Sequence, residues 1–278
     1  MRSPISPSPA VHVQLKELLG QFLEHTPTAR GTDSLMADLR RFNPELLRDS
    51  LVELLSSSVH TEGTREEISS VYTRKLKEMA ALYPLLFHVE NALRARLSLE
   101  IFDRFGIDQW WVPILKAIRA GNPAHSVKQI STVPITRYFA VRVGHIVESV
   151  EGTRDGPAKL DQMTCGSQLL AESTFGELRY LVSNSWTDFQ HIFRGSRGVI
   201  KAITKLEFSA LSKVIVDVRN DLYHHRPISD RQTFVNVCEI LADHLESHLG
   251  SLDTAMANAT YVRPSFSVVL HDRHFDWR

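Results

Sequence analysis

The chain has 278 residues, 43% of them hydrophobic, and its 32 basic residues balance 32 acidic ones. This apolar content supports a buried core and excludes an intrinsically disordered chain. Because the formal net charge is zero, any nucleic-acid binding must come from a local patch and not from attraction to the whole molecule.

Cysteine usage and apolar runs give further limits. Cys165 and Cys238 are too few to crosslink a chain of this length, and neither belongs to a Cys-x-x-Cys pair, so the sequence predicts a reducing, cytoplasmic location. The proline- and serine-rich start lacks the apolar core of a secretory signal. No apolar run approaches the ~18 residues of a membrane span, so we expect a soluble protein without a membrane partner.

Helical periodicity dominates the chain and period-two alternation is scarce, which predicts an all-α fold. Residues 1–10 are expected to be a disordered N-terminus. Helices are predicted over residues 11–23, over residues 34–55 with a break near Pro44, and from residue 63 towards Tyr83. Residues 11–78 therefore form a predicted N-terminal helical extension, which could be an accessory cap, a dimer arm or an RNA-contacting segment.

The predicted helix that leads towards Tyr83 is followed by Pro84, which either kinks it or starts a new helix. Glu90 and Arg94 are four residues apart with the acid first, so they share a face of this helix and can pair. Such a pair could orient an active site or could equally be a solvated surface pair.

The middle of the chain alternates between short helices and turns. Residues 109–113 contain two adjacent tryptophans and predict a buried turn, and residues 137–150 predict a helix. Residues 151–157 and 194–198 are rich in turn formers. The second of these loops is either a plain connector or a backbone-clamping loop, in which case Arg194 and Arg197 would contact RNA phosphates.

Near residue 220 an amphipathic helix is predicted to end in a group of polar side chains. The apolar residues of its stripe recur at three- and four-residue intervals: Leu211, Val214, Ile215, Val218 and Leu222. Asn220 and His224 lie one turn apart on the opposite side. Arg219 points about 140° away from His224 on an ideal helix. Either the helix loosens before Pro227, or the two side chains converge across a subunit boundary.

These residue types match what RNA cleavage without a metal requires. The reaction needs a base for the ribose 2′-hydroxyl, an acid for the departing 5′-oxygen and a fixed cation for the charged intermediate. Histidine can fill both proton roles near neutral pH, and arginine grips phosphate with two donors. His225 could replace His224 or merely cap the helix, and Asp221 and Tyr223 are supporting candidates. An ordinary helix end with harmless basic residues is the alternative.

The last predicted helix covers residues 231–249 and contains His244 and His248 at a spacing that can share a metal ion. No third ligand stands at a recognised spacing, so the sequence predicts neither a metal nor another cofactor. The tail, residues 251–278, could add a short strand or pack across a dimer.

The segment from Arg219 to His224 resembles the Arg-x(4–6)-His signature of the HEPN superfamily, in its form Arg-Asn-x-x-x-His. Residues 82–106 are similar to the first long helix of the abortive-infection (Abi-like) branch. Residues 173–181 and the Lys205-Leu206 pair resemble the middle of that branch. Together these segments cover about residues 80–245.

The resemblance implies a HEPN-type helical bundle over residues 79–250. It implies a homodimeric, metal-independent endoribonuclease of the toxin or antiviral-defence kind, with RNA as substrate and an antitoxin or small noncoding RNA as a further candidate partner. It assigns Arg219, Asn220 and His224 to the catalytic motif. Glu90 and Arg94 become the polar pair of the first helix.

One departure from the family pattern concerns regulation. Relatives paired with a nucleotidyltransferase antitoxin usually carry a modified tyrosine shortly after the motif histidine, where this chain has Arg226 and Pro227. Inactivation by that route is therefore not expected, and Arg226 is a further candidate for RNA contact. The rival interpretation is a non-catalytic HEPN module that binds RNA, nucleotide or a partner protein.

Overall fold

The computed structural model describes residues 9–22, 42–57, 65–194, 201–228 and 230–247. The expectations for residues 1–8, for Arg197, for His248 and for the tail lie outside the described residues. Within them the fold is overwhelmingly helical, so the all-α prediction is confirmed.

The described helices have the following bounds: α1 Pro9–Phe22, α2 Pro44–Ser56, α3 Arg65–Ala80, α4 Tyr83–Phe105, α5 Val112–Arg119, α6 Arg137–Glu151, α7 Gly156–Gln162, α8 Gly166–Ala171, α9 Phe175–Asn184, α10 Trp186–Phe189, α11 Lys205–Tyr223 and α12 Arg231–His244. Single 3₁₀ turns cover Ala124–Ser126 and Gln190–Phe193. A small antiparallel pair joins β1 (Gln129–Ile130) to β2 (Val133–Pro134).

Proline and capping residues set several of these helix starts. The Asn43 side chain accepts hydrogen bonds from the backbone of Glu45 and Leu46, and Pro44 occupies the first turn, so the expected break near Pro44 is the start of α2. Pro84 is the second residue of α4 and therefore starts that helix. Thr174 and Glu177 form a capping box at the start of α9.

The chain divides into two compact units. The first contains the described residues up to Tyr83 together with Asn220–Arg231. In it α1 packs against α2, and α2 packs against α3. Arg74 pairs with both Glu53 and Glu78, and Lys75 reaches Glu53 at 3.1 Å. Burial alone would raise the pKa of Glu53, but Lys75 and Arg74 outweigh it and hold that pKa below its usual value.

The second unit contains Pro84–Arg219 and the described residues from Gln232. Its core includes a cluster of aromatic rings in which Phe139 lies 5.6 Å from Phe105, 6.1 Å from Trp110 and 6.4 Å from Phe189 between ring centroids. Trp110 and Trp111 are both buried, so the predicted turn with two aromatic anchors is confirmed. The predicted helix over residues 137–150 is also confirmed, as α6.

Three details differ from the sequence predictions. α12 ends at His244 and not at residue 249, because Glu246 adopts a left-handed backbone with φ 52° that stops the helix. The loop predicted over residues 151–157 is shorter, since α7 begins at Gly156. The buried stripe of α11 is rotated: Phe208 and Ser212 are buried, whereas Leu211 and Val214 are only half-buried.

None of the described helices combines the length and the apolar character needed to cross a bilayer.

Candidate functional site

The motif predicted from sequence lies at the carboxyl end of α11. The backbone N–H of His224 donates to the Asn220 carbonyl at 3.0 Å, so the helical pattern continues to His224. His225 then takes a left-handed backbone with φ 52°. Its N–H donates to the Leu222 carbonyl, and the N–H of Arg226 donates to the Asp221 carbonyl at 2.8 Å. This pair of bonds is a Schellman closure, so His225 holds the capping position.

The end of the helix exposes two residues that the sequence assigned to the catalytic motif and the histidine that follows them. Asn220, His224 and His225 are exposed, while Leu222 on the opposite side is fully buried. The hydroxyl of Tyr83 also donates to the Leu222 carbonyl, at 3.3 Å, so this oxygen accepts a second hydrogen bond besides that from the His225 N–H. The helix is therefore fixed by its buried side and offers the other side to solvent.

Arg219, the cation of the motif, contacts an acid from another helix. Its Nε lies 3.6 Å from Glu90 Oε2, and the Arg219 side chain is 26% exposed. The other oxygen of the same carboxylate, Oε1, accepts from Arg94 Nη2 at 2.9 Å. Glu90 therefore bridges two arginines, and the predicted pairing of Glu90 with Arg94 is confirmed.

Arg94 is held by more than Glu90. Its Nε donates to the Leu170 carbonyl at 2.9 Å and its Nη2 to the Ser173 carbonyl at 3.1 Å, while Nη1 reaches the Asn91 side chain at 2.7 Å. The side chains of Glu90 and Arg94 are only 12% and 17% exposed. The alternative of a solvated surface pair is therefore wrong: Arg94 anchors α4 to the end of α8 and fixes the carboxylate that faces Arg219.

The supporting residues take different positions. Tyr223 is half exposed and meets Tyr83 edge-to-face, with ring centroids 6.3 Å apart. Asp221 is half-buried and accepts in the helix closure through its carbonyl. Arg226 is exposed and pairs with Glu45, Nε to Oε2, at 3.5 Å, so its charge is already partly matched. Arg194 is exposed at the end of the second 3₁₀ turn, and its proposed companion Arg197 lies outside the described residues.

The histidine considered for metal binding has a different environment. His244 is 4% exposed, and its Nδ1 has no hydrogen-bond partner within the described part of the chain. Burial lowers the pKa of His244, and Asp243 only partly opposes this effect. No group of three or more metal-ligating side chains is found among the described residues. His244 is thus a core residue facing Phe193, with ring centroids 6.5 Å apart.

The sequence did not indicate two features of the site. The carbonyls of Leu170 and Ser173 hold Arg94, and a backbone partner leaves no mark in the side-chain pattern. The contact between Glu90 and Arg219 joins residues far apart in sequence, so only the folded arrangement brings it out.

Comparison of the chain with protein-family models, with curated proteins and with solved structures gives no match.

Guanidinium, imidazole and amide groups are side chains that phosphate-handling sites use. A guanidinium restrained by a half-buried carboxylate can hold phosphate oxygens in fixed geometry, because its planar fork of N–H donors matches two phosphate oxygens. An exposed imidazole can exchange protons with a ligand at neutral pH. Asn220 adds an exposed amide one turn before His224.

Proposed function

We propose that this chain is a metal-independent endoribonuclease of the HEPN type, with an Arg-Asn-x-x-x-His motif formed by Arg219, Asn220 and His224. The observation that carries the proposal is the exposed end of α11, which presents Asn220 and His224 to solvent while Arg219 is paired with Glu90. A toxin or abortive-infection effector is the biological role that the resemblance favours.

In the proposed reaction, a neutral imidazole of His224 takes the proton of a ribose 2′-hydroxyl. The oxygen then attacks the adjacent phosphorus, and a protonated imidazole gives its proton to the departing 5′-oxygen. The products are a 2′,3′-cyclic phosphate and a free 5′-hydroxyl. Arg219 stabilises the charge that builds up on the phosphorus oxygens.

Two copies of the chain are part of this proposal. One histidine cannot be base and acid in the same turnover, so a twofold axis that brings together two His224 side chains would supply both. The dimer is tested by solution mass, for which we expect twice the mass of the chain. A monomer that cleaves RNA at full rate would contradict this part of the proposal.

The central experiment compares the parent chain with Arg219→Ala and His224→Ala on total RNA and in growth-arrest assays. We expect each substitution to lower cleavage by about 10² or more, the usual loss for a group that transfers protons or stabilises charge. Cleavage that leaves 2′,3′-cyclic ends in the presence of EDTA supports the enzyme. Retained cleavage in both variants contradicts it, and RNA binding without cleavage supports the non-catalytic module instead.

Glu90 is a positioning residue in this scheme, because it acts on phosphate only through Arg219. Glu90→Gln keeps the shape but removes the charge and one of the two acceptor oxygens. We expect kcat to fall by about tenfold while KM changes little, as for a contact that matters in the transition state. Glu100→Gln is the matched control, since Glu100 is also a half-buried partner of an arginine on α4, Arg96 at 2.9 Å. A loss of activity equal in both variants would indicate a structural effect only.

A further inference from the structure

Away from the motif, α6 and α9 carry a group of aromatic and cationic side chains. Tyr138, Arg142 and His145 recur at four- and three-residue intervals and so line one side of α6. Arg179 and Tyr180 come from α9, which packs against α6. We name these five residues the arginine–tyrosine face. Tyr138 is 66% exposed and Tyr180 is 46% exposed, so both rings are accessible to a ligand.

The two arginines of this face are held in place beside one ring. The guanidinium carbon of Arg142 lies 5.0 Å from the ring centroid of Tyr180, and that of Arg179 lies 5.4 Å away. The amide of Asn184, with its oxygen towards Arg142, accepts from Nε and Nη2 of that arginine. Arg179 Nη2 donates to the Ser209 carbonyl at 3.2 Å. Both guanidiniums are thus ordered before any ligand arrives.

The charge of these two arginines is not matched by acids. Within the described residues neither Arg142 nor Arg179 forms an ion pair, whereas Arg96, Arg104 and Arg119 of the same unit each do. The Nε of Arg179 is buried and lacks a hydrogen-bond partner there. An arginine without a counter-charge is costly to bury, so an anionic ligand would bring compensation.

Two of the three acids on these two helices are engaged elsewhere, and the first of them, Glu151, pairs with Arg119 at 2.9 Å. Glu177 accepts from the backbone N–H and the hydroxyl of Thr174 in the capping box of α9. Glu148 lies 3.6 Å from His145 on α6. Two fixed positive charges beside two exposed tyrosine rings therefore remain.

We propose that the arginine–tyrosine face binds single-stranded RNA. Arg142 and Arg179 contact backbone phosphates with their remaining N–H donors, and the exposed ring of Tyr138 stacks on an unpaired base. Duplex RNA does not satisfy this surface, because its bases are paired and their faces are covered. The choice of RNA as the strand rests on the proposed function.

The test measures binding of a labelled single-stranded RNA by fluorescence anisotropy, in a His224→Ala background so that the strand stays intact. We expect Arg142→Gln and Arg179→Gln each to weaken binding several-fold and to reduce the salt dependence by about 0.7 in the log–log slope per lost phosphate contact. We expect Tyr138→Leu to weaken binding about tenfold and Tyr138→Phe to leave it unchanged, because only an aromatic ring stacks. Arg154→Gln is the matched control, an exposed arginine on the turn before α7.

Some results would overturn the inference. The inference is contradicted if Arg142→Gln, Arg179→Gln and Tyr138→Leu all bind the RNA as tightly as the parent. Weaker RNA binding by the arginine variants, with unchanged binding by Tyr138→Leu, would also overturn the inference. That result would indicate a polyanion or an acidic protein segment as the ligand. Thermal melts of each variant check folding, and Tyr138→Leu keeps the test decisive because its exposed side chain contributes little to the core.

The two proposals fail in different ways. If the parent chain binds single-stranded RNA through this face but never cleaves it, the nuclease proposal is contradicted and the RNA-binding proposal stands. If the parent chain cleaves RNA and the face variants bind and cleave like the parent, the RNA-binding proposal is contradicted and the nuclease proposal stands.

Discussion

Two histidines stand at the ends of consecutive helices and have opposite surroundings. His224 follows the last residue of α11 and is exposed, whereas His244 is the last residue of α12 and is 4% exposed. Both helices close in the same way, with a left-handed residue at φ 52°: His225 in one and Glu246 in the other. Relative to that residue, His244 stands one position earlier than His224.

The packing of each helix, and not the register, explains the difference. In α11 Tyr223 has the position that His244 has in α12, yet it is 50% exposed, and in α12 Leu245 has the position of His224, yet it is 6% exposed. The residue type therefore does not decide whether a histidine can exchange protons with a ligand. The side of the helix that packs against the core does, and of these two histidines only His224 has the exposed side chain that the proposed reaction requires.

The comparison predicts its largest effect in catalysis. His224→Ala should lower RNA cleavage by about 10²- to 10⁴-fold, because the proton-transfer group is removed. His244→Gln, assayed at a temperature where it is folded, should cleave within a few-fold of the parent. The measurement is the initial rate of cyclic-phosphate formation on a short oligonucleotide, and equal losses in the two variants would refute the distinction.

The second effect is on stability, where the substitution of His244 should cost more than the substitution of His224. His244→Ala removes a buried ring and should lower the free energy of unfolding by about 2 kcal/mol, since the site around Phe193 cannot fully collapse. His224→Ala should change it by less than about 0.5 kcal/mol, as expected for an exposed side chain. Urea unfolding of both variants gives the comparison, and a destabilised His224→Ala would mean that the helix end depends on that imidazole.

The third effect concerns pH. Because burial lowers the pKa of His244, the unfolded chain binds a proton at this position before the folded chain does. Its contribution is complete above the ordinary pKa of 6.5 and is lost as the pH falls towards the lower folded-state pKa. The parent should lose stability in this range faster than His244→Gln. Parallel curves for the two proteins would show that His244 does not titrate there.

The smallest expected effect is the change in stability when the left-handed residues that close α11 and α12 are replaced. His225→Gly and Glu246→Gly should each raise the free energy of unfolding by about 0.5 kcal/mol, because glycine accepts the left-handed backbone without strain but gains freedom in the unfolded chain. Gly121, with φ 77°, ends α5 with the same pair of hydrogen bonds, so Gly121→Ala should lower stability by about 1 kcal/mol. Destabilisation by His225→Gly would point to a side-chain role for His225.

The sequence was sufficient for the local features of this fold and insufficient for its long-range contacts. Apolar spacing predicted α6, and proximity on one helix predicted the pairing of Glu90 with Arg94. The end of α12 was missed because Glu246 is not a residue type that usually signals a left-handed turn.

For the candidate site, the spacing predicted that Asn220 and His224 would be on the exposed side of α11, as they are. It could not predict the contact of Glu90 with Arg219, because a tertiary ion pair depends on how α4 and α11 pack. The arginine–tyrosine face was missed for the same reason, since Arg142 and Tyr180 come from helices that are far apart in sequence.

The left-handed backbone at His225 also shapes how this segment can vary. Glycine, asparagine, aspartate and histidine accept that conformation, whereas β-branched side chains clash there. A saturation library scored for folding should tolerate that small set at position 225 and reject valine and isoleucine, whatever their chemistry. At position 224 the same library should accept nearly any residue for folding and almost none but histidine for cleavage, so adjacent positions would report on backbone shape and on reactivity.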